Sequence, residues 1–362
     1  MIARKIGLVH PPLESVLSGG NVYNEKLLEY AGRCGFPLVS LPWRGEELPR
    51  GNWDLLAWDS LFLDRLARIA GERIALLLHY LPSLEPALDS RGRQALQAVE
   101  HRAVAQADFA IATGKTVADA VTARWPGKPV FLCEPGVGEA FLRTRPGRAD
   151  QTVKLLTVAH LLPAKGHGQL LEILQQLRHL PWHWQVAGDC GRSPETVRRL
   201  CDRAAQARLT GRITFHGAVP QETVAALMAN SDLLVSPSTF EAYGMAVAEA
   251  AAAGLPVLCN RVGAAEQLIQ HGVTGFLATA GDWDSFGGYL QVLLEAPALR
   301  AAFRDNLRHA AVRGWDKTCA DFQAACFAQS EKTRRSIGYK LPTQLTGSLP
   351  RTGPNRSADQ PP

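Results

Sequence analysis

The chain has 362 residues, 46% of them hydrophobic and 20% charged, and a formal net charge of +5. That length suits two domains of ordinary size, and the balance of apolar to charged residues excludes a disordered or fibrous chain. The positive charge names no nucleic-acid partner: residues 1–150 carry 18 basic and 17 acidic side chains, residues 151–330 carry 15 of each, and residues 331–362 carry 6 against 2.

The first residues, MIARKIGLVHPP, have too short an apolar run for a signal peptide, because Pro11 and Pro12 end it at once. The richest apolar stretch, 244–258, is broken by Glu249, Gly254 and Pro256, so no membrane span is expected and the cytoplasm is the expected location. Seven cysteines are scattered without a C-x-x-C pair, which predicts reduced thiols, no disulfide framework and no zinc site.

In chain order, residues 4–10 read as a strand, Gly19 and Gly20 as a loop, and 21–35 as a helix ending at glycine. Strands follow at 36–41, 54–59, 74–80 and 108–113, with a helix at 93–107. Continuous apolar strands separated by helices predict a parallel sheet covered on both faces. The polar segment 141–152 reads as a linker. The same style then begins again, with strands at 153–159, 183–190, 212–219, 232–238 and 255–262 and helices at 167–180, 198–209 and 222–231. The expected fold class is α/β, with two doubly wound Rossmann-like domains at 1–148 and 149–318. Residues 319–330 are expected to form a helix packing back towards the first domain. Residues 331–362, rich in Pro, Gly, Ser and Thr, are expected to be a disordered basic tail.

Two short motifs mislead. ATGKT (112–116) resembles the end of a P-loop, but the required first glycine is Phe109, which leaves a strand, a turn and a helix cap. DWD (282–284) has the letters of a metal-binding pair, yet its place before an apolar helix makes Asp282 a helix N-cap. No G-x-G-x-x-G follows the first strand, so no ordinary NAD site is expected.

TFEAYGMAVAEA (239–250) follows the strand 232–238 and therefore lies at a strand's carboxyl end, where doubly wound folds bind ligands. Gly244 is placed to open a helix whose unpaired amides attract phosphate. Glu241 stands before that helix and Glu249 inside it. Eight residues of helix span about 12 Å, so the two carboxylates would hold the two ends of an elongated ligand. Their neighbours are Ala, Val and Met, which points to burial, and buried carboxylates need partners. Lys165, in VAHLLPAKGHGQ (158–169), falls on the same rim, where a cation can hold a diphosphate.

The run 241–282, with glutamates eight apart and GLPVLCNRVG behind them, resembles the donor site of retaining glycosyltransferases of family 4. VAHLLPAKGH, VAGDC, FHGAVP, CEPGVGEAF and SGGNVYNEKL resemble further segments of that family, so that the likeness covers about residues 1–330. The resemblance implies the glycosyltransferase B architecture, two domains facing across a cleft, and a nucleotide-sugar donor that is a co-substrate rather than a cofactor. By it, Glu241 would bind hydroxyls of the donor sugar and Glu249 the ribose. Lys165 and the amides of Tyr243, Gly244 and Met245 would hold the diphosphate without a metal. Gly20 would bring the first domain's backbone near that diphosphate, and His79 would stand by the reacting sugar. The family's usual Gly-Arg is Ala159-His160 here, which puts a shorter donor, partly charged near neutral pH, where an arginine is expected; either donor binding is weaker or Arg192 or Arg261 compensates.

The implied partner is a glycan, lipid-linked or small-molecule acceptor, with peripheral membrane association left open. Trp43, Trp53 and Trp58 are placed either in an acceptor groove or in the core. The competing readings are a nucleotide-sugar epimerase and a catalytically weak nucleotide-sugar binder or partner subunit. The sequence does not name the sugar, the base or the oligomeric state.

Overall fold

The computed structural model describes residues 5–13, 18–45, 51–66, 72–142, 151–309 and 311–336. The first half runs β1 (Ile6–His10), α1 (Gly19–Arg33), β2 (Leu38–Pro42), β3 (Leu55–Asp59), β4 (Ile74–Leu78), α2 (Ser90–Gln106), β5 (Phe109–Ala112), α3 (Lys115–Arg124), β6 (Val130–Leu132) and α4 (Glu139–Leu142). The second runs β7 (Val153–Val158), α5 (His167–Gln176), β8 (Trp182–Ala187), α6 (Pro194–Gln206), β9 (Ile213–Gly217), α7 (Gln221–Ala229), β10 (Leu233–Ser236) and α8 (Met245–Ala252). It closes with β11 (Val257–Asn260), α9 (Ala265–Leu268), β12 (Gly275–Ala278), α10 (Trp283–Glu295), α11 (Pro297–Leu307) and α12 (Trp315–Ser336).

The strands form two six-stranded parallel sheets, in the orders β2-β1-β3-β4-β5-β6 and β12-β11-β10-β7-β8-β9. In the first sheet β1, β3, β4 and β5 are buried along their whole length, whereas β2 and β6 at the edges are partly exposed. That is why the central strands read as unbroken apolar runs and the short edge strand β6 did not, although the edge strand β2 was read at 36–41. Helices cover both faces of the second sheet. One side packs Trp182, Trp184, Leu170, Leu174, Phe286 and Leu290. The other packs Tyr243, Val247, Ala251, Val257 and Leu277. Chain order reverses between β1 and β3 in one sheet and between β7 and β10 in the other, and such reversals open a crevice at the strands' carboxyl ends.

Several expectations change. Gly19 and Gly20 are the first turn of α1 rather than a loop, because Ser18 caps the helix and its Oγ accepts from the Asn21 amide at 3.2 Å. Phe141 and Leu142 end α4, and the rest of the expected linker up to residue 150 lies outside the described residues. The last helix starts at Trp315 and continues to Ser336, into the segment expected to be a disordered tail; residues 337–362 lie outside the described residues. At its start, Thr318 Oγ1 donates to the Glu134 carbonyl at 2.8 Å, Phe322 meets Phe36 edge-on with ring centres 6.2 Å apart, and Trp315 meets Tyr23 edge-on at 5.5 Å. Trp43, Trp53 and Trp58 are buried in the first domain's core. All seven cysteines are free.

Candidate active site

A cavity of about 280 Å³ opens between the carboxyl ends of the two sheets. It is lined from the first half by Gly19, Gly20, Tyr23, His79 and Thr113, and from the second by His160, Lys165, Asp189, Glu241, Tyr243, Gly244, Met245 and Glu249, among others. All nine site residues inferred from the sequence line this one cavity.

The loop after β7 and the end of β10 are tied together. The Thr239 amide donates to the Ala164 carbonyl at 2.9 Å, and Gly166, with φ of 71°, lies so close to the Pro237 carbonyl that a Cβ there would sit 2.3 Å from it. This close approach delivers Lys165 to Glu241, and Nζ meets Oε1 at 2.7 Å. Both side chains are about one-fifth exposed, so the pair is open to a ligand. Lys165 is the only lysine or arginine among the described residues lining the cavity.

Gly244 caps α8 in the left-handed region, with φ of 101° and ψ of 57°, which glycine adopts freely. The Tyr243 carbonyl accepts from the Ala264 amide at 2.7 Å, which holds the turn from behind. Among the described residues the amides of Gly244, Met245 and Ala246 donate to no protein acceptor. The N-terminal turn of α1 lines the same cavity and meets the Met245 side chain, since a Cβ on Gly19 would lie 3.6 Å from its sulfur. Two helix N-termini, each equivalent to about half a positive charge, thus flank the cavity.

Glu249 lies one turn further along α8 and is 5% exposed. No hydrogen bond or ion pair holds its carboxyl among the described residues, and burial alone pushes it up to about 8. His160 departs from expectation. Burial, with Arg192 and Lys165 nearby, pulls its ring down to about 4, so it is neutral near pH 7 rather than partly charged. Its Nδ1 accepts from the Asp189 amide at 3.3 Å, which leaves Nε2 as a neutral donor. Neither proposed substitute cation lines the cavity: Arg192 lies 3.7 Å from Asp189, and Arg261 pairs with Glu266 at 2.7 Å.

His79 is held by groups that sequence reasoning missed. Its Nε2 lies 3.1 Å from Asn24 Oδ1 and 3.3 Å from Asp59 Oδ2, and its amide donates to Ser60 Oγ at 3.2 Å. Gly20 packs on the ring, where a Cβ would lie 3.2 Å away. The available signal was Asp59-Ser60 at the carboxyl end of an apolar strand, the position that also singled out Lys165. The two misleading motifs are structural. Gly114 of ATGKT caps α3 against the Ala242 carbonyl, and Asp282 caps α10, accepting from the Ser285 amide at 3.1 Å.

Residues 139–310 match the family model of glycosyl transferases group 1. The D-inositol 3-phosphate glycosyltransferase of Streptomyces avermitilis is 29% identical over 260 residues, covering 66% of this chain and 55% of that protein. Its namesake in Mycolicibacterium paratuberculosis is 35% identical over 128 residues, 35% of this chain and 28% of that one. The chain spans about half the length of the first of these curated relatives. Among solved structures, Anabaena Alr3699/HepE in complex with UDP-glucose superposes with a TM-score of 0.73 at 19% identity, over 90% of this chain and 99% of that one. Sucrose-phosphate synthase of Thermosynechococcus elongatus gives 0.69 at 16% identity, over 92% and 99%. Both share this chain's architecture of two facing parallel-sheet domains.

Proposed function

We propose, from the match of residues 139–310 to the family model of glycosyl transferases group 1, that the chain transfers a sugar from a nucleotide-sugar donor to a hydroxyl acceptor, with retention and without a metal. The observation that carries this is the cavity itself: a paired Lys165–Glu241, a buried Glu249 and two helix N-termini stand at the switch points of both sheets. A diphosphate suits Lys165 and the free amides of α8, which oppose its charge from fixed positions. Glu249, once ionised, offers two acceptor oxygens to the vicinal hydroxyls of a ribose. Glu241 is placed between Lys165 and the cavity, where it can accept from sugar hydroxyls.

The bond between the sugar's anomeric carbon and the phosphate oxygen breaks as the acceptor oxygen bonds that carbon. The leaving oxygen takes the acceptor's proton on the same face, and Lys165 with the α8 amides stabilises the charge that develops. The partners this implies are a nucleotide sugar and a glycan, lipid-linked or small-molecule acceptor. Among the described residues no helix is long and apolar enough to cross a membrane. A second reading, a protein that binds the donor and cleaves it poorly, is favoured by the neutral His160 and by the engagement of Lys165 with Glu241.

Release of nucleoside diphosphate from UDP-, GDP- and ADP-glucose separates the two. The transferase reading expects release with one of them and a fall of roughly 100- to 1,000-fold in Lys165→Met. Binding without release supports the second reading, and neither binding nor release contradicts both.

A further inference from the structure

Three polar side chains from three elements converge behind the cavity: Asn24 of α1, Asp59 at the end of β3 and His79 after β4. Asn24 and Asp59 are both fully buried. Asp59 Oδ1 accepts from the Leu61 amide at 2.8 Å, and Oδ2 accepts from Asn24 Nδ2 at 2.6 Å. Each carboxyl oxygen of Asp59 thus receives an N–H donor, so the group acts as a carboxylate and only accepts.

Because Asp59 accepts only, Asn24 must turn its NH2 group to it. The oxygen of Asn24 therefore faces His79 Nε2, and Asp59 Oδ2 faces the same nitrogen. Two acceptors at Nε2 require the ring proton to be there. In the neutral ring Nδ1 is left with a bare lone pair. His79 lines the cavity, and among the described residues its Nδ1 has no protein partner.

We propose that Asp59 and Asn24 are positioning residues that fix His79 as the Nε2–H tautomer, so that Nδ1 accepts a hydrogen bond from a hydroxyl of the bound sugar substrate. The substrate half of this rests on the transferase reading; the tautomer half does not. The arrangement follows the general rule that a buried carboxylate sets the tautomer and orientation of a working imidazole. The edge of Tyr23, with ring centres 5.0 Å apart, and the backbone of Gly20 keep the ring from turning.

The test uses the full chain with 15N-labelled histidine, the His79 signals being those lost in His79→Gln. The wild type should carry the proton on Nε2. In Asp59→Asn the side-chain oxygen stays on the Leu61 amide, so the new NH2 group points at Nε2 and the proton should move to Nδ1. A wild-type ring protonated on Nδ1, or a folded Asp59→Asn with an unchanged tautomer, overturns the proposal, and the wild-type spectrum decides even if the variant does not fold. Donor cleavage supplies the substrate arm. Asp59→Asn and His79→Gln should lower turnover to a common level, with the double variant no lower. Multiplying losses would show that Asp59 acts apart from His79. Absence of cleavage in the wild type would count against the transferase reading and leave the tautomer result standing.

Discussion

Glu249 is a buried carboxyl without a protein partner among the described residues, and this gives it a measurable signature. Unfolded, it loses its proton near 4.5; folded, it keeps the proton to about 8. Between those values the folded chain binds more protons, so stability falls as pH rises. His160 and His167 act in the opposite sense: each is pulled by burial from 6.5 to about 4, so each adds stability as pH rises to 6.5 and nothing further above it. The window from 6.5 to 8 therefore isolates Glu249. At about 1.4 kcal/mol per pH unit, its contribution there is at most about 2 kcal/mol. The melting temperature should fall across this window in the wild type and hold level in Glu249→Gln; a parallel fall in both would mean that Glu249 is already ionised. The glutamate was legible in the sequence, because its flanks are Ala and Val. The charge of His160 was not, since it depends on the burial and the nearby Arg192 that only the fold supplies.

Turns between elements set the cavity's geometry, and glycine makes three of them, at Gly114, Gly166 and Gly244. A Cβ on Gly114 would lie 2.1 Å from the Ala242 carbonyl, next to Glu241 and Tyr243. Gly114→Ala should cost about 1–3 kcal/mol by overpacking and weaken donor binding, because the turn after β5 must back away from the Glu241 segment. Urea unfolding and a binding titration check the two effects; unchanged binding would show that this contact does not shape the cavity. Gly244→Ala should cost about 1–2 kcal/mol, the penalty of a left-handed backbone on a side chain. The central strands were legible from their unbroken apolar runs. The edge strands β6 and β12 were not predicted, because three or four residues leave too little pattern. The glycines of ATGKT and SGG were visible as letters, but their work as close approaches exists only between elements distant in sequence.

At the scale of the molecule, the start of α12 returns to the first half, with Trp315 against Tyr23, and Tyr23 in turn meets His79. Both aromatic residues are at most 2% exposed. Trp315→Ala should destabilise the chain by about 3–5 kcal/mol, read by urea unfolding, and loosen the support of the His79 ring. The near balance of charge over residues 1–330 leaves ligand recognition to the local arrangement in the cavity rather than to a long-range field. That arrangement is most directly tested by the melting temperature of the wild type and of Glu249→Ala against UDP-, GDP- and ADP-sugars. At 100 times its dissociation constant a ligand adds about 2.7 kcal/mol of stability. The account predicts a rise with one nucleotide in the wild type and its loss in Glu249→Ala. An equal rise in both would contradict the assignment of Glu249, and no rise with any nucleotide sugar would contradict a donor site in this cavity.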